Sequence, residues 1–278
     1  MKLRFAIFMI VFIACTAVCA QNVLTVKGNF MYTDVSLANK GHLCSVNSLI
    51  DTGCSLCIVD SAFAVDSCGV KAGEAKVMYV NDDKTALSSV VIDSVSFCGS
   101  VYRDVNCLMA DLDGIYQKYA PHFIIGADLL KSGVWKFDMQ TKTVVRLADS
   151  KSSVNGMAIK WKNHEDYPDV AMDYIIFDSK IKGRKTRFTF DTGTKYNKLE
   201  RGLRPGKTEQ IEKETANIST PLSGKTAEMC RNVEFVIGKT EFVLDFICSD
   251  YNTGLLNIEF LHGHSFILDY PRRMLIVL

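Results

Sequence analysis

Leu49-Ile50-Asp51-Thr52-Gly53-Cys54 has an echo in the second half of the chain, Phe188-Thr189-Phe190-Asp191-Thr192-Gly193-Thr194. Each is an apolar run that ends in Asp-Thr-Gly. A single such tripeptide reads as a turn, because Asp and Gly are residues that turns favour. Two copies, each closing a strand-like run, require a common cause. The simplest is a pair of related halves that each donate one aspartate to a shared site.

The flanking sequence repeats in the same order. Residues 29–37 and 42–50 read as a hairpin around Asn39-Lys40-Gly41, and the apolar run resumes at Ile58-Val59. Residues 61–67 suit a short helix capped by Ser61. Residues 76–80 and 86–91 read as strands around the polar tip Asn81-Asp82-Asp83. Residues 94–97 and 104–109 make a hairpin about Gly99, followed by Phe123-Ile124-Ile125-Gly126 and a closing pair of strands at 134–138 and 142–147. Polar, turn-rich residues 148–156 form the best linker. Beyond it, strands at 171–177 and 186–190 flank a turn at 181–185 and lead into Asp191. Residues 233–237 and 242–247, then 254–261, then 266–270 and 274–278, match their first-half counterparts. Residues 200–228, charged and poor in large apolar side chains, are expected to be a loop or an exposed mobile segment. A repeat of about 130 residues is too long for a solenoid and points to duplication into two units. Strand and turn signals dominate, so the class is mostly β.

The chain opens with Met1-Lys2-Leu3-Arg4, an apolar run and small residues ending at Ala20. Residues 1–20 are read as a signal peptide cleaved near Ala20, which sends the protein to a periplasm-like space or outside the cell. A lipoprotein-type cut before Cys15 is the alternative and would leave a lipid anchor. The apolar run is shorter than the ~20 residues of a membrane span. With 32 basic and 31 acidic residues and a net charge of +1, nothing favours a nucleic-acid or anionic-membrane partner. Cys44, Cys54, Cys57, Cys68, Cys98, Cys107, Cys230 and Cys248 remain after cleavage. In an oxidising compartment they suggest disulfides of undetermined pairing, with buried thiols as the alternative.

Two Asp-Thr-Gly motifs, with Ile124-Ile125-Gly126 following the first, resemble the aspartic protease clan. Having both in one chain, on halves shorter than pepsin's, is similar to a two-lobed, retropepsin-like member. That resemblance implies two related β-barrel-like lobes, 21–150 and 151–278, with the active site in the cleft between them. It implies a monomeric endopeptidase acting on a peptide or protein substrate, with no cofactor and no metal. Asp51 and Asp191 take the catalytic positions. Thr52 and Thr192 match the threonines that bond across the lobe interface, and Gly53 and Gly193 the glycines that let backbone N–H groups approach the carboxylates. Thr194 and Cys54 follow them as supporting residues. Tyr79 and Asn81 are the flap candidates.

Two departures stand out. Leu255-Leu256-Asn257 puts asparagine where the first half has Gly126, which a left-handed backbone would tolerate. Cys54 occupies a place where serine, threonine or alanine is usual. They motivate an alternative: a catalytically weak or inactive relative that binds peptides or a protein partner. Other sites are weaker. Cys54-Ser-Leu-Cys57 has redox spacing without a helix to activate a thiol. His262-Gly-His264 lacks further metal ligands, and no Gly-x-Ser-x-Gly is present. Asp138 and Asp269 end matching strands and read as turn formers.

Overall fold

The computed structural model describes residues 20–71, 73, 75–80, 83–112, 122–148, 155–167, 173–203, 207–217, 220–249 and 254–278. The signal-peptide reading of residues 1–19, the flap candidate Asn81 and most of the linker therefore lie outside the described residues. The fold is mostly β. The first half runs β1 (Gln21–Val23), β2 (Thr25–Lys27), β3 (Phe30–Asn39), β4 (His42–Ile50), β5 (Cys57–Asp60), α1 (Ser61–Asp66), β6 (Ala75–Val80), β7 (Asp83–Phe97) and β8 (Ser100–Ala110). It closes with β9 (Phe123–Ile125), α2 (Ala127–Leu130), β10 (Val134–Asp138) and β11 (Thr143–Leu147). The second half runs β12 (Met157–Lys160), β13 (Ile176–Ile181), β14 (Arg184–Phe190), β15 (Lys198–Leu199), a 3-10 turn at Arg201–Leu203, β16 (Thr208–Asn217), β17 (Thr220–Ile237) and β18 (Thr240–Cys248). It closes with β19 (Gly254–Leu256), a second 3-10 turn at Ile258–Leu261, β20 (Phe266–Asp269) and β21 (Met274–Val277).

The duplication inferred from sequence is visible strand by strand. One sheet has the order β2-β3-β4-β9-β5-β8-β7-β6 and another β13-β14-β19-β15-β18-β17-β16. Without β2, the two orders coincide, and the extra pairing β3–β7 recurs as β13–β17. Directions recur as well. β4–β9 and β14–β19 are parallel, β5–β8 and β15–β18 are parallel, and β5–β9 and β15–β19 are antiparallel. The central strands are covered on both faces, which is why they read as continuous apolar runs and not as alternation: Leu49, Ile50, Phe123, Ile124 and Ile125 are all buried.

A third sheet, β1-β11-β10-β20-β21-β12, is built from both halves. Its centre is the antiparallel pair β10–β20, where Trp135 faces Leu268 and Phe137 stacks on Phe266 at 4.7 Å between ring centroids. Burial of these large side chains fastens the two halves along their closing hairpins, since each aromatic removes roughly 150–250 Å² from water.

Local chemistry explains the turns. The β3–β4 and β13–β14 hairpins each close through a Lys-Gly pair with positive φ, Lys40 (47°) and Gly41 (87°), Lys182 (47°) and Gly183 (80°). Two consecutive left-handed residues match the twist of the strands they join. Strand β13 begins at Ile176, later than expected, and the turn after it is the two residues Lys182-Gly183.

Several expectations are corrected. Most of the described residues of 200–228 are strand and not loop: β16 and β17 pair antiparallel from Thr208↔Cys230 to Asn217↔Thr220, as the counterpart of the β6–β7 hairpin. The cap of α1 is Asp60, whose Oδ1 accepts from Phe63 N at 2.8 Å, and not Ser61. None of the eight described cysteines is bonded to another as a disulfide. Asp138 and Asp269 do form turns, accepting backbone N–H groups of Thr141 and Arg272. No described helix is long and apolar enough to cross a membrane.

Candidate active site

Each Asp-Thr-Gly sits where a central parallel strand ends. The β4–β9 ladder is extended by one bond, Asp51 N donating to Ile125 O (3.0 Å), and the β14–β19 ladder likewise by Asp191 N donating to Leu256 O (2.8 Å). Both chains then turn sharply, with Gly53 N donating to Asp51 Oδ1 (2.8 Å) and Gly193 N to Asp191 Oδ1 (2.9 Å).

The two turns face each other. A Cβ added at Gly53 would run into the Asp191 carboxylate, and one added at Gly193 would run into the Asp51 carboxylate. Glycine is needed at both places for this close approach, since neither has a positive φ. The two carboxyls lie within hydrogen-bonding reach of one another.

Beneath them the threonines are cross-linked by four hydrogen bonds. Thr52 Oγ1 donates to Phe190 O (2.7 Å) and accepts from Thr192 N (3.2 Å). Thr192 Oγ1 donates to Ile50 O (2.7 Å) and accepts from Thr52 N (3.1 Å). Both threonines are fully buried. Every polar group in this ring is satisfied by its counterpart in the other half, so neither turn is complete alone.

Burial is the main influence on the aspartates, and it raises both pKa values. For Asp51 the charge of Asp191 adds to the rise. For Asp191 the cation of Lys198, on β15, opposes it. Lys198 is itself pulled down by burial, with Asp191 acting against that fall. Lys198 thus favours the charged form at Asp191, within a pair whose shared proton belongs to both carboxyls. The two carboxyls titrate as a unit.

Cys54 and Thr194 make equivalent contacts. Cys54 Sγ donates to Leu56 O (3.0 Å) and Thr194 Oγ1 to Tyr196 O (3.4 Å), each two residues along. Burial, followed by the charge of Asp51, pushes the Cys54 thiol well above its ordinary pKa, which keeps it protonated and opposes a redox role for Cys54-Ser-Leu-Cys57. Cys57 is likewise raised, and its Sγ donates to Asp128 Oδ1 (3.2 Å).

Asn257 does not adopt the left-handed conformation anticipated for it; its φ is −94°. Gly126 has φ −87° and is needed for space, because a Cβ there would meet the Leu56 backbone. In the second half Asn257 works as a cap. Its Oδ1 accepts from Glu259 N (2.9 Å), its Nδ2 donates to Lys195 O (2.9 Å), and its N–H donates to Asn197 Oδ1 (2.9 Å).

Tyr79 belongs to β6, whose backbone pairs Tyr79 with Lys84 of β7; its side chain lies outside the described residues. Three site neighbours had no sequence signal. Tyr174, just before β13, bonds to Ser55 beside the first turn, and burial pushes its phenol up to about 12. Tyr270, partly buried, lies within electrostatic range of Asp51, and its phenol is raised by desolvation. Lys198 is the third. No protein-family model matches the chain, and no curated protein matches it.

Proposed function

We propose that the chain is an aspartic endopeptidase with the two-lobed acid-protease fold, residues 21–150 and 151–278 being the lobes. The observation that carries this reading is the reciprocal contact of the two turns: each glycine lies against the other half's carboxylate, above the ring of threonine bonds. The duplicated strand order supports it, because it makes the two aspartates equivalent by construction.

The chemistry follows from one proton shared by two carboxyls, the logic of aspartic proteases at large. Asp191, whose charged form Lys198 favours, accepts a proton from a water placed between the pair. Asp51, whose protonated form is favoured by burial and by its neighbour's charge, donates to the carbonyl oxygen of the peptide. The tetrahedral species then collapses as the amine leaves with a proton returned by the pair. The hairpins β6–β7 and β16–β17 occupy equivalent positions, and an extended substrate would pair with their backbones in a way that tolerates many sequences. The working environment is an exported one, periplasmic or extracellular, and the working form a monomer.

Peptide binding without cleavage is the second reading. It draws on Cys54, whose thiol stands where the second half has the Thr194 hydroxyl. Cleavage of an unfolded protein, followed by mass spectrometry from acidic to neutral pH, separates the two. Peptide products support the endopeptidase. Intact substrate at every pH, together with saturable binding of the same peptides, supports the alternative.

A further inference from the structure

Cys230 and Cys248 lie on neighbouring strands of the second-half sheet with their Sγ atoms 2.9 Å apart. Cys230 is buried on β17, and Cys248, partly exposed, ends β18. The ladder between these strands is interrupted here: Cys230 pairs with Phe246, and regular pairing resumes only at Val233↔Leu244. Asn232, within the interruption, has φ 49°. The break lies at the base of the β16–β17 hairpin. That hairpin reaches the second Asp-Thr-Gly turn, where Glu214 pairs with Lys195 at 3.5 Å.

We propose that Cys230 and Cys248 are a thiol pair built to close into a disulfide that staples the base of the β16–β17 hairpin to β18. The sulfurs are about 0.9 Å farther apart than a bond of ~2.05 Å, so closure needs them to approach by only that much. The oxidant is a low-molecular-weight disulfide of the glutathione type. The Cys248 thiolate, the more exposed of the two, attacks one sulfur of that disulfide and releases one small thiol. The Cys230 thiolate then attacks the mixed disulfide at Cys248 and releases the second, the two cysteine protons ending on the two small thiols.

Four other thiols point elsewhere. Cys54 donates to Leu56 O, Cys57 to Asp128, Cys98 to Val144 O and Cys107 to Val105 O. They serve as internal standards. The pairing stands independently of the peptidase reading, because nothing in it uses the aspartates.

The test is to equilibrate the folded mature protein with oxidised glutathione, alkylate it, digest it and map the cysteines by mass. A cross-linked peptide joining residues 230 and 248 is expected, with Cys54, Cys57, Cys98 and Cys107 alkylated. The thermal midpoint should rise by about 5–10 °C, the range for closing a loop of this length in a protein of this size, and Cys248→Ser should abolish the rise. Full alkylation of both Cys230 and Cys248 after equilibration, or a bond from either to another cysteine, would overturn the proposal.

Discussion

Replacing Thr52 by valine keeps shape and volume and removes one hydroxyl from the ring under the aspartates. Two hydrogen bonds go with it, Thr52 Oγ1 to Phe190 O at 2.7 Å and Thr192 N to Thr52 Oγ1 at 3.2 Å. Two backbone groups, the Phe190 carbonyl and the Thr192 N–H, are left buried with nothing to bond. At roughly 1–3 kcal/mol per orphaned group, with some relaxation, the loss is about 3 kcal/mol. For a protein of this length that lowers the thermal midpoint by roughly 6–12 °C. Thr192→Val removes the mirror-image pair, at 2.7 and 3.1 Å. The two variants should therefore be destabilised equally, within about 0.5 kcal/mol, while serine at either site should recover most of the loss. Urea unfolding with both variants and their serine controls is the assay. A Thr52→Val cost below about 0.5 kcal/mol, or a large inequality between the two valine variants, would refute the picture of a reciprocal ring.

Three further outcomes follow from the site. Lys198→Met removes the cation that favours charge on Asp191, so both limbs of the pH–rate profile for cleavage should move toward higher pH; an unmoved profile would remove Lys198 from the electrostatics. Asp51 carries a folded pKa raised by burial and by Asp191, so its contribution to stability is complete below the unfolded value of ~3.9 and is lost as pH rises through the folded value. The stability of Asp51→Asn relative to wild type should thus improve steadily from acidic to neutral pH, and a difference that stays constant with pH would contradict the burial argument. Asn257→Ala loses both side-chain bonds of its cap and should cost about 1–2 kcal/mol by denaturant unfolding, whereas a neutral result would show that the cap is dispensable.

What the sequence made legible was local or repeated. Asp-Thr-Gly at the end of two apolar runs, the Lys-Gly turns and the closing hairpins all leave periodic or turn-residue signals, and the duplication let each half check the other. The β16–β17 hairpin left none. Of the described positions of its first strand, Glu212 and Glu214 are exposed and Ile211 and Lys213 only half-buried, so no face carries the apolar alternation by which a strand is recognised. Tyr174, Tyr270 and Lys198 were invisible for a different reason. Each comes to the aspartates through tertiary folding from a segment with its own ordinary reading: a strand approach, a turn after β20 and a two-residue strand. Asn257 was noticed but misjudged, since its side chain, and not its backbone freedom, is what the second half uses.

The proposed activity depends on two aspartates acting as one site. Asp51→Asn and Asp191→Asn, each purified in folded form and tested against an unfolded protein substrate over the pH range where the wild type cleaves, examine it most directly. Cleavage should vanish in both variants alike, because neither carboxyl can serve as both acid and base alone. Wild-type rates in either variant would contradict it.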